Sequence, residues 1–108
     1  MTDLNELNER LIQNNCVTSL HIDIEKDTLK YNLLLTLSES ENACDDRLVL
    51  YFWDVSGLQL MEFGGGLTQF MHLNISRLTS GLDRMNFALT ELEDGKISFN
   101  FVSVDDMS

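Results

Sequence analysis

The sequence predicts an α+β domain, one N-terminal helix packed on a mostly antiparallel β-sheet of about five to six strands. Three observations carry that prediction. Apolar residues recur at helical spacing in the first segment, from Val17 onward they alternate at the strand period, and short turn-forming pairs separate the alternating runs. Strands joined in sequence by tight turns pair antiparallel, which leaves the helix on one face or at one end.

The elements follow in order. Leu4, Leu7, Leu11 and Ile12 form one apolar stripe over Asp3 to Asn14, with Asn5, Glu6, Asn8, Glu9 and Arg10 on the other face. Thr2 or Asp3 can cap this helix, Asp3 and Glu6 have a capping-box spacing, and Asn14-Asn15 suits its end. Leu20, Ile22 and Ile24 then alternate with Ser19, His21, Asp23 and Glu25, a strand whose wet face carries Asp23 and Glu25. Lys26-Asp27 turns the chain, and Leu29, Tyr31, Leu33, Leu35 and Leu37 alternate again, so Cys16 to Leu37 reads as a β-hairpin.

Ser38 to Asp46 is the longest loop. Leu48 to Val55 is the most apolar run, expected to be a central strand covered on both faces and ended by Ser56-Gly57. Leu58, Leu60 and Phe63 lead to Gly64-Gly65-Gly66. Leu67 to Leu78 is open between strand and helix, with strand favoured for Phe70 to Ser76. Ser80-Gly81 turns the chain, Phe87, Leu89 and Leu92 mark a strand, and Glu93-Asp94-Gly95 turns it into a last strand carrying Ile97, Phe99, Phe101 and Val102 and ending near Val104.

The chain has 108 residues, the length of a single domain spanning 1–108, with no linker and no internal repeat. It is 44% hydrophobic and 23% charged, which excludes collagen-like, low-complexity and disulfide-scaffold classes. No apolar run is long enough for a membrane helix, and acidic residues stand where a signal peptide carries positive charge, so a cytoplasmic protein is expected. Eighteen acidic against seven basic residues give a net charge of −11, spread along the chain. Such a charge repels phosphate backbones and anionic lipid, so neither nucleic acid nor membrane is an expected partner. It is compatible with simple solubility, with a basic protein partner, or with a bound cation.

No catalytic or cofactor pattern stands out. Cys16 and Cys44 lack the spacing of a redox or zinc motif and are expected to be separate reduced thiols, and with only His21 and His72 a zinc site is not supported. Asp23, Glu25 and Asp27 have the start of a calcium-loop spacing, but Thr28 and Leu34 stand where its glycine and closing carboxylate belong. The glycine run is followed by no Lys-Ser or Lys-Thr, so it is better read as a positive-φ bulge or a close approach of strands. A thiol and imidazole drawn from Cys16, Cys44, His21 and His72, or a carboxylate pair among Asp45, Asp46 and Asp54, arises by chance in so acidic a chain. No enzyme, cofactor or metal is therefore expected. Tyr51 and Trp53 alternate with Phe52, so the helix covers one of these faces or part of it is a binding or dimer patch.

The stretch Asp54 to Gln69, with Glu62-Phe63-Gly64-Gly65-Gly66-Leu67-Thr68-Gln69 at its centre, and the later Glu93 to Phe99 resemble small acidic bacterial immunity proteins of polymorphic or contact-dependent toxin systems. The resemblance covers the second half of the chain. Thr79 to Asn86 departs from it, because a tryptophan-bearing segment is expected there. It implies a binding module that neutralises a basic protein toxin, such as a nuclease, by occlusion, and it supplies no catalytic residues. In that role surface carboxylates at Asp23, Glu25, Asp45 and Asp46 would steer association and Trp53 would anchor the complex. The competing class is a self-associating structural or regulatory domain in which the sheet, or the Leu48 to Val55 strand, pairs with its own copy.

Overall fold

The computed structural model describes residues 4–39, 47–61, 65, 72–78, 87–93 and 95–107. Helix α1 (Leu4–Gln13) precedes β1 (Cys16–Ile24), β2 (Tyr31–Ser38), β3 (Arg47–Leu60), β4 (Leu73–Arg77), β5 (Phe87–Glu91), β6 (Ile97–Phe101) and β7 (Ser103–Asp106). The strands run β1-β2-β3-β6-β5-β4 with every pairing antiparallel, and β7 lies beside β3 as a seventh strand. The α+β architecture is the one the sequence predicts. No described helix is long and apolar enough to cross a membrane.

The long strand β3 organises the rest. Its first half lies between β2 and β7, and its second half pairs with β6 from Ser56 opposite Asn100 to Leu60 opposite Ile97. Strands β6 and β7 are one run of chain interrupted at Val102, whose N–H donates to the Trp53 carbonyl at 3.0 Å. Ser56-Gly57 therefore does not end the strand, as its composition suggested. Gly57 takes a left-handed φ of 64°, the register shifts between Ser56 and Gln59, and the strand continues beyond the bulge. The last strand likewise runs past Val104, because the backbone ladder from Leu50 to Trp53 holds the polar stretch Ser103–Asp106 in place.

The core forms where the alternation points. Leu33, Leu35 and Leu37 of β2 and Leu48, Leu50 and Phe52 of β3 are buried together with Leu73, Ile75, Leu89, Ile97, Phe99 and Phe101, and Leu7 and Leu11 of α1 close the cluster. Phe52 sits edge-on to Phe99 at 4.9 Å and to Phe101 at 4.8 Å, linking the two halves of the bent sheet. Each such side chain contributes about 1.5–3 kcal/mol by leaving water.

The helix departs from its expected stripe in two places. Ile12 is 55% exposed, because Leu4, Leu7 and Leu11 centre the packed face about 100° around the helix from it. Asn8, expected on the outer face, instead meets β4. Its Nδ2 donates to the Ile75 carbonyl at 3.0 Å, and the Ile75 N–H donates to its Oδ1 at 2.8 Å. The amide thus imitates one rung of a β-ladder and blocks the edge of β4. Asn8→Ala is expected to destabilise the fold by about 1–3 kcal/mol, because both Ile75 backbone groups lose their partner. Hydrogen exchange should then show the Ile75 amide losing protection before the β5 and β6 amides do. Arg10 of α1 also pairs with Asp106 of β7.

The first hairpin lies where it was predicted, with two corrections. Leu29 is 69% exposed in the turn with φ 59°, so β2 begins only at Tyr31. Ile22 and Ile24, expected to be buried by their alternation, are 45% and 49% exposed. They lie on the inner face opposite Leu33 and Tyr31, but β1 is the outermost strand and α1 packs at the far β4 side of the sheet. Gly95, in the predicted turn between β5 and β6, has φ 66°, and Gly65 of the glycine run has φ 72°. The remainder of the glycine run, the Ser80-Gly81 turn and most of the Ser38 to Asp46 loop lie outside the described residues.

Candidate functional site

The pleat of β3 sends Leu48, Leu50 and Phe52 to the helix side and Val49, Tyr51 and Trp53 to the other. The expectation that this strand is covered on both faces is therefore corrected: Phe52 lies in the core that Leu7 and Leu11 of α1 help close, and Trp53 stays 38% exposed. Register places His21, Leu34, Tyr51 and Asp105 in one row across β1, β2, β3 and β7. Asp23 and Trp53 flank that row on the same outer face. Tyr51 and Trp53 meet edge-to-face at 4.6 Å, and the indole N–H of Trp53 donates to Asp105 at 2.8 Å. The ring is thus held in place before any partner arrives, with its carboxylate acceptor beside it. His21 and Asp23 hydrogen-bond at 3.1 Å with both side chains more than half exposed.

The other predicted contact residues behave differently. Glu25, expected on the wet face of the first strand, lies just beyond it in the turn, where Asn32 Nδ2 donates to one carboxylate oxygen at 2.9 Å and the Thr28 hydroxyl to the other at 3.2 Å. Its carboxylate is committed inside the chain, so the outer face offers Asp23 and Asp105 instead. Asp45 and Asp46 lie outside the described residues. The place of Asp105 on this face has no signal in the sequence, because nothing in Ser103-Val104-Asp105-Asp106 marks a strand; the exposure of Trp53 follows from its alternation with Phe52.

Below this face Asn32, 2% exposed, fixes the bend in β3. Its Oδ1 accepts the N–H of Asp54 at 3.0 Å, and Asp54 holds the left-handed φ of 55° that lets β3 bulge past Asn32. The Asp54 carboxylate, little exposed, lies 4.0 Å from the Lys30 ammonium. The same bulge aims Trp53, so the polar cluster is support for the aromatic face. Asn32→Ala is expected to lower stability by about 2–3 kcal/mol, as a buried N–H and the Glu25 carboxylate lose partners. Urea unfolding measures the loss; Asn32→Asp keeps the acceptor for Asp54 but sets two carboxylates together, and should recover only part of it.

The described thiol and imidazole groups are dispersed. Cys16 is buried at one end of β1 and His21 sits five positions along, roughly 16 Å away on an extended strand. Cys44 lies outside the described residues, and His72 lies half-buried before β4, its carbonyl accepting the Leu92 N–H at 2.7 Å. Among the described residues no three His, Cys, Asp or Glu side chains converge as a metal site would require. The chain matches no known family model, no curated protein and no solved structure.

Proposed function

We propose that this chain is a binding module, an immunity-type protein that neutralises a cognate basic toxin, such as a nuclease, by occlusion in the bacterial cytoplasm. The observation that carries the proposal is the Tyr51–Trp53 pair on an open sheet face beside Asp23 and Asp105, in a chain of net charge −11. Three features support it together. A preordered tryptophan is the side chain most often found at the centre of a tight interface. Carboxylates around it raise the rate of encounter with a basic groove and fill that groove without being cut. The resemblance carried by Glu62 to Gln69 and Glu93 to Phe99 names a family whose members act in this way.

Association is then steered by the overall charge, with Asp23 and, on sequence grounds, Asp45 and Asp46 contributing, and the lifetime of the complex is set by the Trp53 contact. The test is growth: a cell producing the toxin encoded beside this chain should recover when the wild-type chain is co-produced, and fail to recover with Trp53→Ala at equal protein level. Recovery that is indifferent to Trp53 would place the interface elsewhere, and absence of protection by the wild type would remove the immunity reading.

A further inference from the structure

Among the described residues, the edges at β4, β7 and β1 differ sharply. The β4 edge is closed at Ile75 by the Asn8 amide, and β7 has four residues, two of them aspartates, with Asp106 paired to Arg10 of α1. Strand β1 has nine residues, pairs only with β2 among the described residues, and its regular stretch from Ser19 to Ile24 lies beyond the register shift near Val17. It carries neither lysine nor proline, the residues that usually protect such an edge. The Leu48 to Val55 run of β3, offered by its apolar sequence as an alternative to the sheet for self-pairing, is interior, with β2 on one side and β7 on the other.

The order Leu20-His21-Ile22-Asp23-Ile24 is complementary to itself when reversed. With Ile22 opposite Ile22 of a second copy, Leu20 faces Ile24 and His21 faces Asp23, twice each by symmetry. A shift of two residues one way sets Asp23 against Asp23, and the other way sets His21 against His21; a shift of one turns the isoleucines of the two copies to opposite faces. In the pair each imidazole N–H donates to the facing Asp23 of the other copy, in exchange for the 3.1 Å bond that His21 makes to Asp23 of its own chain. Half-exposed Ile22 also lines an inner-face groove with Tyr31, Leu33, Val55 and Leu58, so isoleucines from a second copy would extend an apolar strip already present on this side of the sheet.

We propose that two copies of this chain pair antiparallel through β1, with the two-fold axis at Ile22, to form one sheet across the dimer. The outer face bearing Trp53 stays free in each copy, so the dimer does not depend on the toxin-binding reading. Because each copy has a charge of −11, added salt screens the repulsion and should tighten the dimer, the opposite of its expected effect on a complex with a basic toxin.

Sedimentation equilibrium of the full chain from micromolar to millimolar concentration tests the proposal. A concentration-dependent dimer is expected, weakened at least tenfold by Ile22→Lys, weakened by His21→Asp, and restored when Asp23→His is added to His21→Asp. These side chains are largely exposed, and circular dichroism confirms that each variant is folded. A wild-type chain that stays monomeric throughout, a dimer indifferent to Ile22→Lys, or a double variant that fails to recover would overturn the pairing. The toxin-protection test turns on Trp53, which lies on β3 outside the paired strand, so the two readings fail separately.

Discussion

Phe52→Ala is expected to remove about 3–5 kcal/mol of stability, the largest loss from any single truncation in this chain. Phe52 is fully buried and is the point at which the β1-β2-β3-β7 half of the sheet meets Phe99 and Phe101 of β6. Removing the ring leaves a cavity bounded by two other aromatic rings and by leucines from β2 and β3, whose strands are tied by hydrogen bonds and cannot collapse inward. A domain of this size has a total stability of about 5–15 kcal/mol, so the variant would be marginal or unfolded at physiological temperature. Urea unfolding should show a much lower midpoint with an unchanged slope. Phe52→Leu, which retains most of the volume, should lose much less. A loss below about 1 kcal/mol in the alanine variant would show that the two half-sheets do not share this core.

Trp53→Ala carries the largest expected effect on function. One residue along from Phe52, the side chain points to the opposite face, and its truncation, which gives up the Tyr51 contact and the Asp105 hydrogen bond, should cost about 1–2 kcal/mol of stability while weakening the toxin complex by at least about 2 kcal/mol, or roughly 30-fold in Kd. The loss should appear in the dissociation rate. Trp53→Phe retains a ring against Tyr51 but loses the hydrogen bond to Asp105, and should fall between the two. Asp23→Lys should act differently: association slows several-fold and its salt dependence flattens, while dissociation barely changes.

The contrast between these neighbouring residues shows what periodicity conveys. Alternation along Leu48 to Val55 separates Phe52 from Trp53 and marks β3 as a strand, and the Leu4, Leu7, Leu11 stripe marks α1. It does not say which face acquires a cover. Ile22 and Ile24 alternate as cleanly as Leu33 and Leu35, yet they are half exposed because β1, among the described residues, has a neighbour on one side only. Order in the sheet is a property of the whole chain and cannot be read from one segment.

Bulges hid the remainder. Asp54 adopts a left-handed φ that glycine takes more readily, held by a side chain 22 positions earlier, and Ser56-Gly57 looks like a stop although the β6 ladder carries β3 through it. Asn8 and Glu25 were assigned to solvent on polarity alone. Each finds a specific partner, Asn8 on the Ile75 backbone and Glu25 on Asn32 and Thr28, and such pairings leave no trace in local composition. Of the candidate contact residues, Trp53 and Asp23 were legible because exposure followed from strand parity; Asp105 was not, because β7 has no apolar pattern of its own.

The most direct test of the binding-module account is capture of partners by the tagged chain from its native cells, run in parallel with Trp53→Ala and washed with rising salt. The expected result is one basic protein retained by the wild type, released progressively as salt rises and missing from the Trp53→Ala sample. Recovery of nothing but the chain's own copies, or of a partner held equally by both forms at every salt concentration, would contradict the account.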